Sequence, residues 1–488
     1  MLLSGSWDGS VRVWDLESGK QLAALVASKH GDHLSITPEG FFDASGTYSN
    51  MVAIVRGLNV TTIDQVHQSL YNPDLLREAL ANDPNNEVKR ASDFVNLEKV
   101  LDSGPAPHVE ITSPVSGSTT DRDLVAVAAR IEDRGQGIGR IEWRANGITV
   151  GVASGPTAGG TSQFNAQREL ALDPGENVVE VVAYNGRNLL ASLPARTTIT
   201  YTGRSGKPNP NLYVLAIGIN KYVDRGGKSS GGDENTYFPP LSLAVADARA
   251  FSEQMKKAGA GVYRKILVRT AVDEQATRAG LDRIVQEIAS EIQPRDTFVL
   301  FAAAHDTSQD GRFYLIPQDY DGGANPASLR ERAIGQDRLQ DWLANLIKAK
   351  KVIILLDTCE SGALVGGYTR SRTDLPASEA AIGRLHEATG RPVLTAAAEG
   401  KPAFEGYEGH GVFTWALLDA LKEGDRNGNG MIELSELVAH VQDQVPKISA
   451  KLNGRGFAAI ALQNSDARQS AHFGSRGDDY SVVRRLLQ

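Results

Sequence analysis

This 488-residue chain has one cysteine, Cys359, so any thiol chemistry it performs must occur there. An ordinary thiol, with a pKa of about 8.5, is only a few per cent thiolate at neutral pH, so a nucleophilic role calls for a nearby base. Of nine histidines, His305 stands out because its setting matches that of the cysteine. Cys359 follows the apolar run VIILL (352–356) and His305 follows TFVLFAAA (297–304). Such runs fit strands buried on both faces of a parallel sheet. Groups just past the carboxyl ends of those strands are where such sheets hold ligands and reacting atoms. Two neighbouring strands would bring thiol and imidazole to one sheet edge, an arrangement suited to nucleophilic acyl chemistry. The bland alternative is an inert buried cysteine and a core histidine; the matched strand-end positions argue against it.

The surrounding sequence supplies the sheet. After the linker GRSGKPNPN (203–211), strand patterns fall at Leu212–Ile219, Arg264–Val268, Thr297–Ala304, Lys351–Leu356 and Val393–Ala397. Helical patterns separate or follow them at Leu243–Ala258, Thr277–Ile292, Asp337–Ile347, Phe413–Lys422 and Ser435–Val445. That alternation predicts an α/β unit, an open and mostly parallel sheet covered on both faces.

Earlier segments differ in character. Residues 108–203 alternate in period two, are rich in Val, Ile and Thr, and are cut by Asn-Gly, Ser-Gly and Asp-Pro-Gly turns. They predict an antiparallel all-β sandwich that resembles the immunoglobulin-like modules of bacterial multidomain proteins. Residues 46–107 read as a helical connector, the helical pattern running from Asp64 to Leu101 and ending before Pro105-Ala106-Pro107. Residues 1–45 contain Val11-Arg12-Val13-Trp14-Asp15 and a turn at Gly19, which resemble part of one WD-repeat blade. A single blade cannot bury its faces, and propellers typically have four to eight. A short hairpin packed on a neighbour is the other reading. The tail, 463–488, is polar and expected to be loosely ordered.

Residues 210–462 resemble a bacterial caspase-like cysteine peptidase related to metacaspases and paracaspases. The resemblance is carried in order by VLAIGINKY, AVADARAF, VLFAAAHDTSQDGRFYLIPQDY, IILLDTCESGA and GHGVFTWALLDAL. His305 and Cys359 are 54 residues apart, near the caspase spacing of about 50. The resemblance implies Cys359 as nucleophile, His305 as acid/base, and backbone N–H groups of Cys359 and Asp306 as the oxyanion hole. It also implies substrate-binding roles for Asp357, which takes the place of the caspase Gln, and for Asp247. Two carboxylates at the base of a pocket favour Arg or Lys in the substrate, not Asp. Arg370 and Arg372, in a polar loop, are candidate self-cleavage sites; a solvated charged loop is the alternative. Two positions depart from the family pattern: Asp306 where Gly is usual, and Glu360 where His is common. Asp306 retains an N–H but adds bulk and negative charge beside a developing oxyanion. A catalytically impaired scaffold that binds partners is therefore the competing function.

Residues 425–436, DRNGNGMIELSE, follow the EF-hand loop pattern, with Asp425, Asn427, Asn429, the Met431 carbonyl, Glu433 and Glu436 at the ligand positions. The dyad needs no cofactor; Ca²⁺ is the ion this loop would take, modestly held because two ligands are Asn. A metal-free turn capping the second helix is the alternative. With a net charge of −8 and no basic run, nucleic acid and anionic membranes are not expected partners. The expected partners are a protein or peptide substrate with a basic residue before the scissile bond, and a protein docked on the sandwich or the WD-like segment. No run of eighteen apolar residues or signal peptide is seen, so the chain as written is expected to be cytoplasmic.

Overall fold

The computed structural model describes residues 1–45, 51–157, 162–203, 209–223, 238, 240–309, 312–321, 326–358, 379–396, 405–453 and 480–486. The chain divides into two compact units, Met1–Ser205 and Gly206–Gln488.

The first unit opens with an antiparallel meander: β1 (Leu2–Gly5), β2 (Ser10–Trp14), β3 (Gln21–Ala27), β4 (His33–Ile36) and β5 (Phe42–Ser45). It has five strands where a propeller blade has four. A hairpin, β6 (Ala53–Arg56) and β7 (Asn59–Thr62), precedes four short helices: α1 (Ile63–Leu70), α2 (Pro73–Leu80), α3 (Glu87–Phe94) and α4 (Leu97–Asp102). The sequence pattern predicts only helices here, and the hairpin departs from it. The helices share a core with the meander and the 189–190 turn, through Leu34, Phe42, Ile63, Leu70, Val100 and Leu190. They are tied to that turn by Ser69 Oγ donating to the Leu189 carbonyl at 2.7 Å.

The sandwich follows as β8 (His108–Ser113), β9 (Ser118–Thr120), β10 (Leu124–Glu132), β11 (Ile138–Ala145), β12 (Ile148–Ser154), β13 (Gln163–Ala171), β14 (Gly175–Asn185) and β15 (Ala195–Tyr201). Its sheets run β13-β10-β8 and β12-β11-β14-β15-β9. The expectation of a wholly antiparallel sandwich needs one correction: β9 pairs parallel to β15 at the sheet edge. The period-two pattern puts Val127, Ala129, Ile131, Trp143, Val179 and Val181 into the core between the sheets.

The second unit is built on β16 (Leu212–Gly218), α5 (Ala244–Gly259), β17 (Ile266–Val272), α6 (Arg278–Glu291) and β18 (Thr297–Ala304). Next come β19 (Asp306–Gln309), β20 (Arg312–Leu315), α7 (Pro326–Arg332), β21 (Ile334–Gly335), α8 (Gln336–Asp341) and β22 (Lys351–Thr358). It ends with α9 (Glu379–Thr389), β23 (Val393–Thr395), β24 (Glu405–Tyr407), β25 (His410–Gly411), α10 (Val412–Glu423), β26 (Met431–Glu433), α11 (Leu434–Asn453) and β27 (Ser481–Arg484). The five-stranded sheet β17-β16-β18-β22-β23 is parallel throughout. Alternate side chains of β22 enter opposite cores. Ile353 and Leu355 meet residues of α5, α10 and α11, while Val352, Ile354 and Leu356 meet residues of α6, α8 and α9. Double-sided burial explains why these strands read as continuous apolar runs.

The tail corrects the sequence reading again. Ser481–Arg484 pairs antiparallel with β26, and Val482 and Val483 are buried in the core beside α5 and α10. Tyr263 Oη donates to the Val482 carbonyl at 2.5 Å. Among the described residues, no helix is long and apolar enough to cross a membrane.

Candidate active site

Strand register sets the frame. β18 and β22 lie side by side with Ala304 opposite Thr358. His305 and Cys359 are the next residues in sequence after this pair. Cys359, Glu360, Arg370 and Arg372 lie outside the described residues.

His305 is buried, 4 % exposed. Its backbone N–H donates to Tyr222 Oη at 2.7 Å, and its carbonyl accepts from Ile316 N–H at 3.0 Å. The imidazole lies against two aromatic rings, Tyr222 at 5.0 Å and Phe238 at 5.4 Å between centroids. Phe238 in turn meets Tyr320 edge-on at 5.9 Å. These rings restrict the imidazole's position, and Tyr222 satisfies a backbone donor that would be costly to bury alone. Tyr222 ends the INKY sequence, but no local pattern assigned it to the histidine.

Asp306 begins β19, which turns away from the sheet to pair with β20. Its carboxylate Oδ2 accepts from the Thr358 hydroxyl at 2.8 Å. One carboxylate oxygen thus bridges the carboxyl ends of β18 and β22. From the sequence, this side chain is expected only to add bulk and charge beside an oxyanion.

Asp247 and Asp357, read from motifs 110 residues apart in sequence, converge. Asp357 is on the β22 face that meets α5 and α10, and Asp247 is in the first turn of α5. Both are buried, at 4 % and 3 % exposure. Between them runs the chain entering α10. Gly411 N–H donates to Asp247 Oδ2 at 3.0 Å, and Thr414 N–H donates to Asp357 Oδ2 at 3.2 Å. The Thr414 hydroxyl also donates to Asp357 Oδ2. A β-carbon at Gly411 would stand 2.9 Å from Asp357 Oδ2 and 3.2 Å from Asp247 Oδ2. The glycine is needed here for close approach, because its backbone (φ −61°, ψ 145°) is open to any residue. Buried carboxylates require such donors, and the positive end of α10 favours their charge.

His410, which sequence reasoning passed over, completes the cluster. Its Nδ1 lies 2.6 Å from Asp247 Oδ1. Burial pushes its pKa down from the ordinary histidine value, opposed by the Asp357 carboxylate.

The 425–436 loop brings its candidate ligand residues together around backbone N–H groups. Asp425 accepts from Gly428, Asn429 and Gly430, with Gly430 at φ +80°. Glu436 accepts from Arg426, Asn427 and Glu433, and the Asn427 and Asn429 amides donate to Glu433. Met431 begins β26, the strand covered by β27. Among the described residues, no group of three or more His, Cys, Asp or Glu side chains forms a metal site. The loop's candidate set is three carboxylates, two side-chain amides and one backbone carbonyl.

Residues 212–468, more than half of the chain, match the caspase domain, and residues 107–181 match the bacterial Ig domain. A solved structure of protein GSU0716 from Geobacter sulfurreducens is 14% identical, covering 48% of this chain and 89% of that one, with a TM-score of 0.32. Fibronectin(III)-like modules of Clostridium thermocellum CbhA are 20% identical over 20% of this chain and 100% of theirs, with a TM-score of 0.17. No curated protein matches the chain.

Proposed function

Because this chain belongs to the caspase family of cysteine peptidases, we propose that it is an endopeptidase cleaving after Arg or Lys through Cys359 and His305. The observation that carries the specificity is the meeting of Asp247 and Asp357 across Gly411. Asp357 stands two residues before the proposed nucleophile. A guanidinium or ammonium would be matched there by two carboxylates, and a substrate Asp would be repelled.

In the reaction, the Cys359 thiolate attacks the carbonyl carbon of the basic residue, forming a C–S bond and a tetrahedral oxyanion. Backbone N–H groups of Cys359 and Asp306 would stabilise that charge, each donor being worth about 10²–10³ in rate. The C–N bond then breaks, and His305 gives the leaving amine the proton taken from the thiol. Water, deprotonated by His305, hydrolyses the thioester and restores the free thiol.

The Asp306 carboxylate accepts from the Thr358 hydroxyl, next in sequence to the proposed nucleophile. The competing reading, a non-catalytic scaffold, rests on Asp306 itself, since Gly is usual there. The other assignments belong to the same proposal. Residues 425–436 bind Ca²⁺ through Asp425, Asn427, Asn429, Met431, Glu433 and Glu436. Arg370 and Arg372 are self-cleavage sites, and the sandwich and the WD-like meander dock protein partners.

A thiol-reactive peptide probe ending in Arg, compared with one ending in Asp, tests the proposal. Mass spectrometry of the labelled protein should find the Arg probe on Cys359 and the Asp probe absent. Labelling by the Asp probe alone would overturn the specificity, and labelling by neither would favour the scaffold.

A further inference from the structure

We propose that His410 is a positioning residue for substrate recognition, holding Asp247 in place and limiting recognition of basic residues at acid pH. The inference rests on the assignment of Asp247 and Asp357 to the substrate pocket. Asp247 has two carboxylate oxygens, and each has a partner on the same two-residue strand. Oδ1 faces His410 Nδ1 at 2.6 Å, and Oδ2 faces Gly411 N–H at 3.0 Å. The strand therefore grips the carboxylate from one side and fixes its plane. Asp357 Oδ2 is held by Thr414 from the first turn of α10.

The imidazole is partly open, its side chain 24% exposed, whereas the Asp247 side chain is 4% exposed. Protons from solvent can reach the ring more readily than the carboxylate. As neutral imidazole, His410 donates from Nδ1 to Asp247 and leaves the negative charge available to a bound cation. Once protonated, it carries a positive charge beside Asp247 from α5 and Asp357 from β22, and competes with the substrate cation. In the turn of its own hairpin, the Glu408 carboxylate accepts from Trp415 Nε1 at 2.9 Å.

Two substitutions separate orientation from titration. Asn can place an amide N–H near the position of Nδ1 but does not titrate, and Ala does neither. Hydrolysis of peptides ending in Arg is measured from pH 5 to 8 for the parent, His410→Asn, His410→Ala and Asp247→Asn, with circular dichroism confirming that each is folded. For His410→Ala the expected KM at pH 8 is about tenfold or more above the parent's, as for a lost hydrogen bond to a charged group, and it lacks the parent's rise at acid pH. For His410→Asn the expected KM is close to the parent's at pH 8 and lacks the parent's rise at acid pH. If Asp247→Asn raises KM but both His410 variants keep the parent's KM profile, the inference is overturned and the pocket stands. If Asp247→Asn leaves KM unchanged, or the parent does not cleave after Arg, the pocket assignment fails and takes the inference with it. Should His410→Ala fail to fold, the pH profile of His410→Asn alone decides.

Discussion

Gly411→Ala adds one methyl group where the two carboxylates meet, and its consequences can be worked out atom by atom. The glycine's backbone is extended, so alanine introduces no torsional strain. The new carbon would lie 2.9 Å from Asp357 Oδ2, 3.2 Å from Asp247 Oδ2 and 3.6 Å from Asp357 Cγ. At least one carboxylate must therefore shift, and each is anchored, by His410 and the 411 amide or by Thr414. Overpacking of this kind costs about 1–3 kcal/mol. Loss of glycine at the N-cap of α10 adds less than about 1 kcal/mol. The effect on catalysis should be larger and selective. A hydrogen bond to a charged group contributes about 1.5–3 kcal/mol, so disturbing one carboxylate should lower kcat/KM for Arg peptides about 10- to 100-fold. Alkylation of Cys359 by iodoacetamide, which needs no cation pocket, should keep its parental rate. Urea melts and peptide kinetics on the same preparation separate the two effects. A folded Gly411→Ala that cleaves Arg peptides within about twofold of the parent would refute the pocket, because a change below 1 kcal/mol is too small for a displaced carboxylate.

Tyr222→Phe removes the acceptor of the buried His305 N–H; a stability loss of about 1–3 kcal/mol is expected in urea melts, together with a lower kcat as the histidine loosens. Asp306→Asn keeps an oxygen for Thr358 and Asp306→Gly does not, so the glycine variant should be the less stable of the two by about 1 kcal/mol. Neither should raise kcat/KM if the carboxylate is occupied as the structure has it; a marked gain in the glycine variant would show that Asp306 obstructs the reaction. His410 also has a pH signature in stability. Its pKa is lowered in the folded state, so as pH falls through about 6.5 the unfolded chain takes up the proton first. Its contribution is therefore present above about pH 6.5 and lost below it. Urea midpoints of the parent should fall more steeply on acidification than those of His410→Asn, and parallel curves would contradict this.

Much of the fold was legible because burial on both faces leaves a plain mark. Runs such as VIILL and TFVLFAAA became adjacent strands, and the residues following them were recognisable as candidates for chemistry. Asp357 was legible for the same reason, lying within a motif at a strand end. What the sequence hid was contact between distant segments. His410 and Asp247 are 163 positions apart, and Tyr222 and His305 are 83 apart. Periodicity records which face of an element is buried, not which remote side chain faces it. The strand Ser481–Arg484 escaped notice because four residues after a polar stretch have too little pattern to register; its order comes from pairing with β26 and from Val482 and Val483 entering the core. The parallel edge strand Ser118–Thr120 was hidden likewise, its three residues being held by the ladder to β15.

The most direct test of the account is hydrolysis of fluorogenic peptides ending in Arg, Lys or Asp, with and without Ca²⁺, by the full chain and by Cys359→Ala. The account predicts cleavage after Arg and Lys, none after Asp, and complete loss in Cys359→Ala. Cleavage confined to Asp peptides, or cleavage after Arg that survives the loss of Cys359, would contradict it.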